Sequence, residues 1–150
     1  MPDLYIGKVV ITGGREFSDI KRIETDLRAL VGVGLRRVAH GGARGADTRA
    51  EMIWRRAKPW PRETEVYAVN PADWKRFGDA AGPMRNGRML EAEKPDLVLA
   101  YPNPPQATTE SRGTWDCVEQ ALAGGIVVVV WQAPTDSPLP LKVVNRACAG

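Results

Sequence analysis

The strongest constraint on the fold is a unit that recurs along the chain: a short apolar run, a glycine-rich turn, then a segment with helical spacing. Residues 8–12 (KVVIT) stop at Gly13-Gly14. Ser18 or Asp19 is placed to cap a helix whose apolar positions Ile20, Ile23, Leu27 and Leu30 share one face, and Gly32 and Gly34 end it. Residues 37–40 (RVAH) stop at Gly41-Gly42, and residues 43–57 carry Ala46, Ala50, Ile53, Trp54 and Ala57 at helical spacing until Pro59 and Pro61 break the pattern. Residues 64–69 (TEVYAV), 96–101 (DLVLAY) and 126–131 (IVVVVW) complete five predicted strands. Further helices are predicted over 83–94, opened by Pro83 and stopped by Pro95, and over 114–123, ended by Gly124-Gly125. Residues 70–82 between them are polar, aromatic and turn-rich. The last apolar run shows no alternation, as expected of a strand covered on both faces.

Strand and helix thus alternate five times. That order specifies an α/β fold, a three-layer parallel sheet of about five strands with helices on both faces. The chain has 150 residues, 43% of them hydrophobic, enough for one domain with a sizeable core. No linker or internal repeat divides it. Residues 1–131 read as the domain. Residues 132–150 read as an extension containing Pro134, Pro138 and Pro140, which supplies an edge strand at 141–144 or an interface. Two cysteines, Cys117 and Cys148, and one histidine, His40, cannot form a disulfide framework or a four-ligand zinc site. No metal and no cofactor is therefore expected. No apolar stretch is long enough to span a membrane, and no basic-then-apolar leader opens the chain. A cytoplasmic protein without a membrane partner is the expectation.

The net charge is +3, from 21 basic and 18 acidic residues. Such a field does not demand a polyanion, so nucleic acid is not an expected partner. The basic side is mostly arginine, however, and arginine grips phosphate with a planar fork. Placement is the informative property. Arg22, Arg28, Arg55 and Arg56 scatter over helices and read as solvated. Arg15, Arg44, Arg85, Arg88 and Arg112 fall in or beside turns.

Those turns carry the chemistry. Gly13-Gly14-Arg15 follows the first strand, and bare backbone before a helix suits a phosphate. The run His40-Gly41-Gly42-Ala43-Arg44-Gly45-Ala46-Asp47 follows the second. Asp47 there reads equally as a helix cap or as an acceptor for a ribose hydroxyl, and His40 reads as a packed strand-end residue. Arg112-Gly113-Thr114 opens the last helix, with Thr114 able to cap it and to bind a phosphate oxygen. Between the third and fourth strands, Asp73 and Trp74 precede Arg85, Asn86 and Arg88. Trp74 or Phe77 can stack on a base or join the core, and Met84 and Leu90 are expected in the core. In a parallel sheet all these turns lie at the carboxyl ends of the strands and face one crevice.

Taken in order, Val9-Val10-Ile11-Thr12-Gly13-Gly14-Arg15, the glycine run from His40 to Asp47, Ala72-Asp73-Trp74-Lys75, Ala81-Gly82-Pro83, Arg85-Asn86 and Arg88-Met89-Leu90 closely resemble the SLOG superfamily. The nearest branch is its small bacterial and phage members related to the YpsA group. The resemblance covers roughly residues 8–131. It implies a Rossmann-like sheet, a bound nucleotide or nucleotide derivative, and a homodimer. Relatives in the superfamily include the Lonely Guy phosphoribohydrolases, a DNA-processing protein that binds single strands, and nucleotide-sensing domains.

The Lonely Guy enzymes carry a PGGxGTxxE loop. Here the segment reads Glu110-Ser111-Arg112-Gly113-Thr114-Trp115-Asp116-Cys117. Gly113-Thr114 match, Tyr101-Pro102 keeps the start of the loop with an insertion after it, and Cys117 stands where the glutamate belongs. Three readings follow. The first is a sensor or binding domain for a phosphate-bearing nucleotide, held by Gly13, Gly14, Arg15, Gly41, Gly42, Arg44, Gly45, Asp47, Asp73, Trp74, Arg85, Asn86, Arg88, Arg112, Gly113 and Thr114. The second is a nucleoside 5′-monophosphate phosphoribohydrolase with Arg85 and Asp116 as catalytic candidates. The third is single-strand binding, for which five tryptophans give stacking potential, although Trp54 and Trp131 have the spacing of buried residues.

Overall fold

A computed structural model of the protein describes residues 5–42, 45–56, 63–104, 107, 108, 110–131 and 141–144. Six strands form one sheet: β1 (Lys8–Gly13), β2 (Arg37–His40), β3 (Glu63–Val66), β4 (Leu97–Tyr101), β5 (Val128–Trp131) and β6 (Leu141–Val144). Their order across the sheet is β3-β2-β1-β4-β5-β6. The first five are mutually parallel, and β6 runs antiparallel to β5. The helices are α1 (Ile20–Val31), α2 (Ala46–Arg56), α3 (Pro71–Phe77), α4 (Ala81–Glu93) and α5 (Arg112–Ala123).

The alternation of side chains along each strand divides the core in two. Val9, Ile11, Leu97 and Leu99 pack with Ile23 and Leu27 of α1 and Ala50 and Trp54 of α2. Val10, Val98, Ala100 and Val128 pack on the other face with Met89 of α4 and Val118, Ala121 and Leu122 of α5. This is the three-layer arrangement expected from the alternating pattern. Trp54 and Trp131 are both buried, as their spacing indicates. Among the described residues no helix is long and apolar enough to cross a membrane.

Several local expectations are corrected. Residues 71–77 form a helix within the stretch read as turn-rich: Pro71 occupies its first turn, and the Asn70 side chain accepts the Asp73 N–H at 2.8 Å. This helix buries none of its residues, so it leaves no apolar period in the sequence. Met84, expected in the core, is 42% exposed, whereas Leu90 is buried. Ile20 begins α1 and is likewise exposed. At the start of α1 it is Asp19, not Ser18, that caps, accepting the Arg22 N–H at 3.1 Å. Thr114 does not cap α5. The helix starts earlier, with Ser111 at the N-cap position.

Candidate functional site

The strand order reverses beside β1, with β2 and β3 on one side and β4 and β5 on the other. At such a reversal the connections leave toward opposite faces, and a crevice opens at the strand carboxyl ends. A cleft of about 960 Å³ occupies this place. The turn after β1 contributes Thr12, Gly13, Gly14 and Arg15, and the turn after β2 contributes Gly41 and Gly42, with Asp47 from α2. Trp74 and Arg85 reach it from α3 and α4, and residues 110–114 close it at the start of α5. A second hollow of about 640 Å³ lies between α1 and α2, beside Leu27, Met52 and Trp54, and contains none of the glycine turns.

Most glycines at the cleft have packing reasons. A Cβ on Gly13 would collide with Ala46 of α2 and stand 2.8 Å from the Tyr101 carbonyl. A Cβ on Gly14 would overlap the Asn103 side chain. This turn is bare because β1, α2 and the chain after β4 converge there. Gly45 lies beside the Gly14 carbonyl, and Gly41 lies under the Arg85 guanidinium. Gly113 differs: a Cβ built on it meets nothing within 4 Å.

Gly113 also sits in the first turn of α5, where backbone N–H groups lack intrahelical partners. Ser111 makes no capping bond; its Oγ instead accepts the Asn103 N–H at 2.7 Å. The first amide of α5 paired within the helix is that of Trp115, donating to the Ser111 carbonyl at 3.0 Å. The amides of Arg112, Gly113 and Thr114 thus have no partner among the described residues. They carry the positive end of the helix dipole at the edge of the cleft. Arg15 is exposed and makes no ion pair among the described residues, while Arg112 pairs with Glu110 at 2.8 Å.

The remaining side chains divide between the cleft and its scaffold. Asp47 lines the cleft, and its carboxylate accepts the Gly41 N–H at 3.1 Å, which closes the turn after β2. His40 is buried behind that turn. Its Nδ1 accepts the Gly42 N–H at 3.0 Å, and its Nε2 stands 3.2 Å from a Glu51 carboxylate oxygen. Burial holds its pKa below the ordinary 6.5, so a neutral ring protonated on Nε2 serves both contacts. Arg85 lines the cleft, donating from Nη1 to the Gly41 and Tyr67 carbonyls at 2.8 and 3.2 Å.

Five described candidates are not among the cleft-lining residues. Asn86 is buried on α4. Asp116 accepts hydrogen bonds from Asn86 Nδ2 at 3.0 Å and Gln120 Nε2 at 2.8 Å. Asp73 and Arg88 border a separate small hollow with Phe77 and Met84. Gly45 supports the turn without lining the cleft, and Arg44 lies outside the described residues. Cys117 is fully buried, and burial pushes its thiol up to about 12, so it offers no thiolate. Among the described residues no cluster of three or more His, Cys, Asp or Glu is placed to hold a metal.

Sequence reasoning missed Thr12, Glu110 and Ser111, which line the cleft. Their only sequence signal is position, immediately before a glycine turn or a helix start. It also missed Asn103, whose Oδ1 accepts the Glu16 N–H at 2.9 Å, and Thr108, whose N–H and Oγ1 both donate to the Glu16 carboxylate. These bonds tie the inserted segment after β4 to the turn after β1.

No family model matches the chain. A solved structure with the same architecture is DNA processing protein A (DprA) of Streptococcus pneumoniae. The TM-score is 0.59 at 20% identity, over 89% of this chain and 52% of that one. The chain spans about half the length of that protein, and the likeness establishes a DprA-like Rossmann fold. The gene 61 protein of Mycobacterium phage D29 is 35% identical over 131 residues, a match covering 81% of this chain and 94% of that protein. At that identity and coverage, this chain belongs to the family of the phage D29 gene 61 protein.

Proposed function

We propose that the cleft binds a phosphate-bearing nucleotide or nucleotide derivative, and that the protein acts as a binding or sensing domain. The observation that carries this reading is the first turn of α5, where three backbone amides without a partner among the described residues and the open face of Gly113 border the cleft. Arg15 supplies a cation free to join them, and Asp47 supplies a carboxylate suited to a ribose hydroxyl. Hydrolysis is the weaker reading, because the Asp116 carboxylate is committed to Asn86 and Gln120 and does not line the cleft.

Thermal unfolding with AMP, ADP-ribose, NAD and cyclic nucleotides tests the proposal, with adenosine as the phosphate-free control. A ligand at a hundred times its Kd adds about 2.7 kcal/mol, and so raises Tm by roughly 5–10 °C. Arg15→Ala is expected to reduce that shift. If no phosphate-bearing compound stabilises the protein more than adenosine does, the proposal fails.

A second reading, single-stranded nucleic-acid binding, is favoured by one observation: Trp74 lies on the cleft edge with 46% of its surface exposed, available for stacking. The DNA-processing protein that shares the fold points the same way. Salt-dependent retention of an oligonucleotide, lost in Trp74→Ala, would support it.

A further inference from the structure

We infer that Asn86 is a positioning residue: it fixes the first turn of α5 relative to Arg85 and so sets the geometry of the cleft's phosphate end. This rests on the nucleotide-binding reading for its purpose, but not for its geometry. Asn86 is 2% exposed, in the middle of α4. Its Oδ1 accepts the Arg85 Nε–H at 2.9 Å. Its Nδ2 donates to the Gly113 carbonyl at 3.1 Å and to the Asp116 carboxylate at 3.0 Å.

Arg85 in turn holds the ends of β2 and β3 through Gly41 and Tyr67. Asp116 is held by Gln120, whose Nε2 also donates to the Pro83 carbonyl at 3.0 Å. The bonds form one unbroken path beneath the cleft, from the turn after β2, through α4, to the first turn of α5. Asn86 is its only crossing between Arg85 and α5 among the described residues.

The chemistry of the crossing demands an amide. One side presents a donor, the guanidinium Nε–H. The other presents two acceptors, a carbonyl and a carboxylate. Only a side chain with an acceptor at one end and two donors at the other satisfies all three. A leucine would leave the Arg85 Nε–H without this acceptor and remove the bonds to the Gly113 carbonyl and the Asp116 carboxylate, and an aspartate would face both with a negative oxygen. Such a part-buried, satisfied network centred on a buried amide favours one geometry, which is the property a preorganised anion site needs.

The test uses the full chain with uniform ¹⁵N labelling and AMP as the probe ligand. In Asn86→Ala, the Arg85 Nε–H resonance loses exchange protection, and the amides of both Gly41 and Gly113–Thr114 shift without ligand. AMP affinity falls at least tenfold. Arg15→Ala lowers affinity without moving those resonances. Asn86→Asp gives the same pattern and serves if the alanine variant does not fold. If the changes stay within α4, or AMP affinity falls no more than twofold, the assignment is overturned. If the wild-type protein binds no AMP, the nucleotide reading fails for that ligand. The ligand-free resonances then decide the positioning role alone: joint shifts at Gly41 and Gly113 sustain it, and their absence overturns it.

Discussion

Gly14 and Gly113 border the same cleft for opposite physical reasons. A methyl group on Gly14 must displace Asn103, which bridges the chain after β4 to Glu16. A methyl group on Gly113 enters open space. Gly14→Ala is therefore expected to lose about 1–3 kcal/mol in urea unfolding, the usual range for overpacking. Gly113→Val is expected to stay within about 0.5 kcal/mol of the parent, as surface changes do, while weakening AMP binding at least tenfold by calorimetry. Wild-type AMP affinity in Gly113→Val would mean that no phosphate approaches this backbone. The two glycines look alike in the sequence. Glycine after a strand announces close approach, but whether an alanine, an asparagine or a ligand makes the approach depends on residues 30 to 90 positions away.

At the scale of elements, β1, β2, β4 and β5 were legible, because a buried parallel strand must be an apolar run, whereas β3 (Glu63–Val66) is largely exposed and ends three residues short of the expected 64–69. The helices were legible in proportion to their apolar stripe. α1 and α2 bury Ile23, Leu27, Ala50 and Trp54 at helical spacing and read clearly. α3 buries nothing, and only its Asn70-Pro71 start marks it. α4 buries Asn86 and Glu93 beside Met89 and Leu90, so a hydrophobic pattern misjudges its inner face and wrongly assigns Met84 to it. Both polar positions are explained by partners on other elements. Glu93 receives Arg37 from the start of β2 at 2.7 and 2.9 Å, and the Tyr67 hydroxyl at 2.5 Å. Arg37 holds the Glu93 carboxyl below its ordinary 4.5. A depressed carboxylate contributes stability that is complete above the unfolded-state value and is lost as pH falls through the folded one. The stability of the parent should therefore begin to fall near pH 4.5 and keep falling below it. Glu93→Gln should cost roughly 1–3 kcal/mol at neutral pH, less than for a fully buried pair because Arg37 is partly solvated. The same substitution should flatten the acid limb of the profile, as urea titrations between pH 3 and 7 would reveal. An unchanged acid limb would exclude this pair as its source.

For the whole molecule, the sheet extends past the point where the sequence resemblance ends. The resemblance stops near residue 131, at the end of β5, yet β6 pairs antiparallel with that strand from Val128↔Val144 to Trp131↔Leu141. The two edges are managed differently. β3, at one edge, carries Glu63 and Glu65, charges that discourage pairing with another chain. β5 reads VVVW and has no such protection of its own, so β6 is what separates an apolar strand from the edge. A chain truncated after Trp131 would present the unpaired N–H and C=O groups of that strand on a sheet already apolar on both faces. Such an edge is a template for association. Truncation should lower Tm by roughly 5 °C or more, given about 2–4 °C per kcal/mol at this size. It should also produce concentration-dependent association beyond that of the full chain, read by size-exclusion chromatography with light scattering. The cleft is lined from the ends of β1 and β2, from α2, α3 and α4 and from the start of α5, and by no residue of β5 among those described. AMP binding per folded molecule should therefore survive truncation. Loss of the unfolding shift with AMP, in a truncated chain that still folds, would show instead that the last strand helps to hold the cleft.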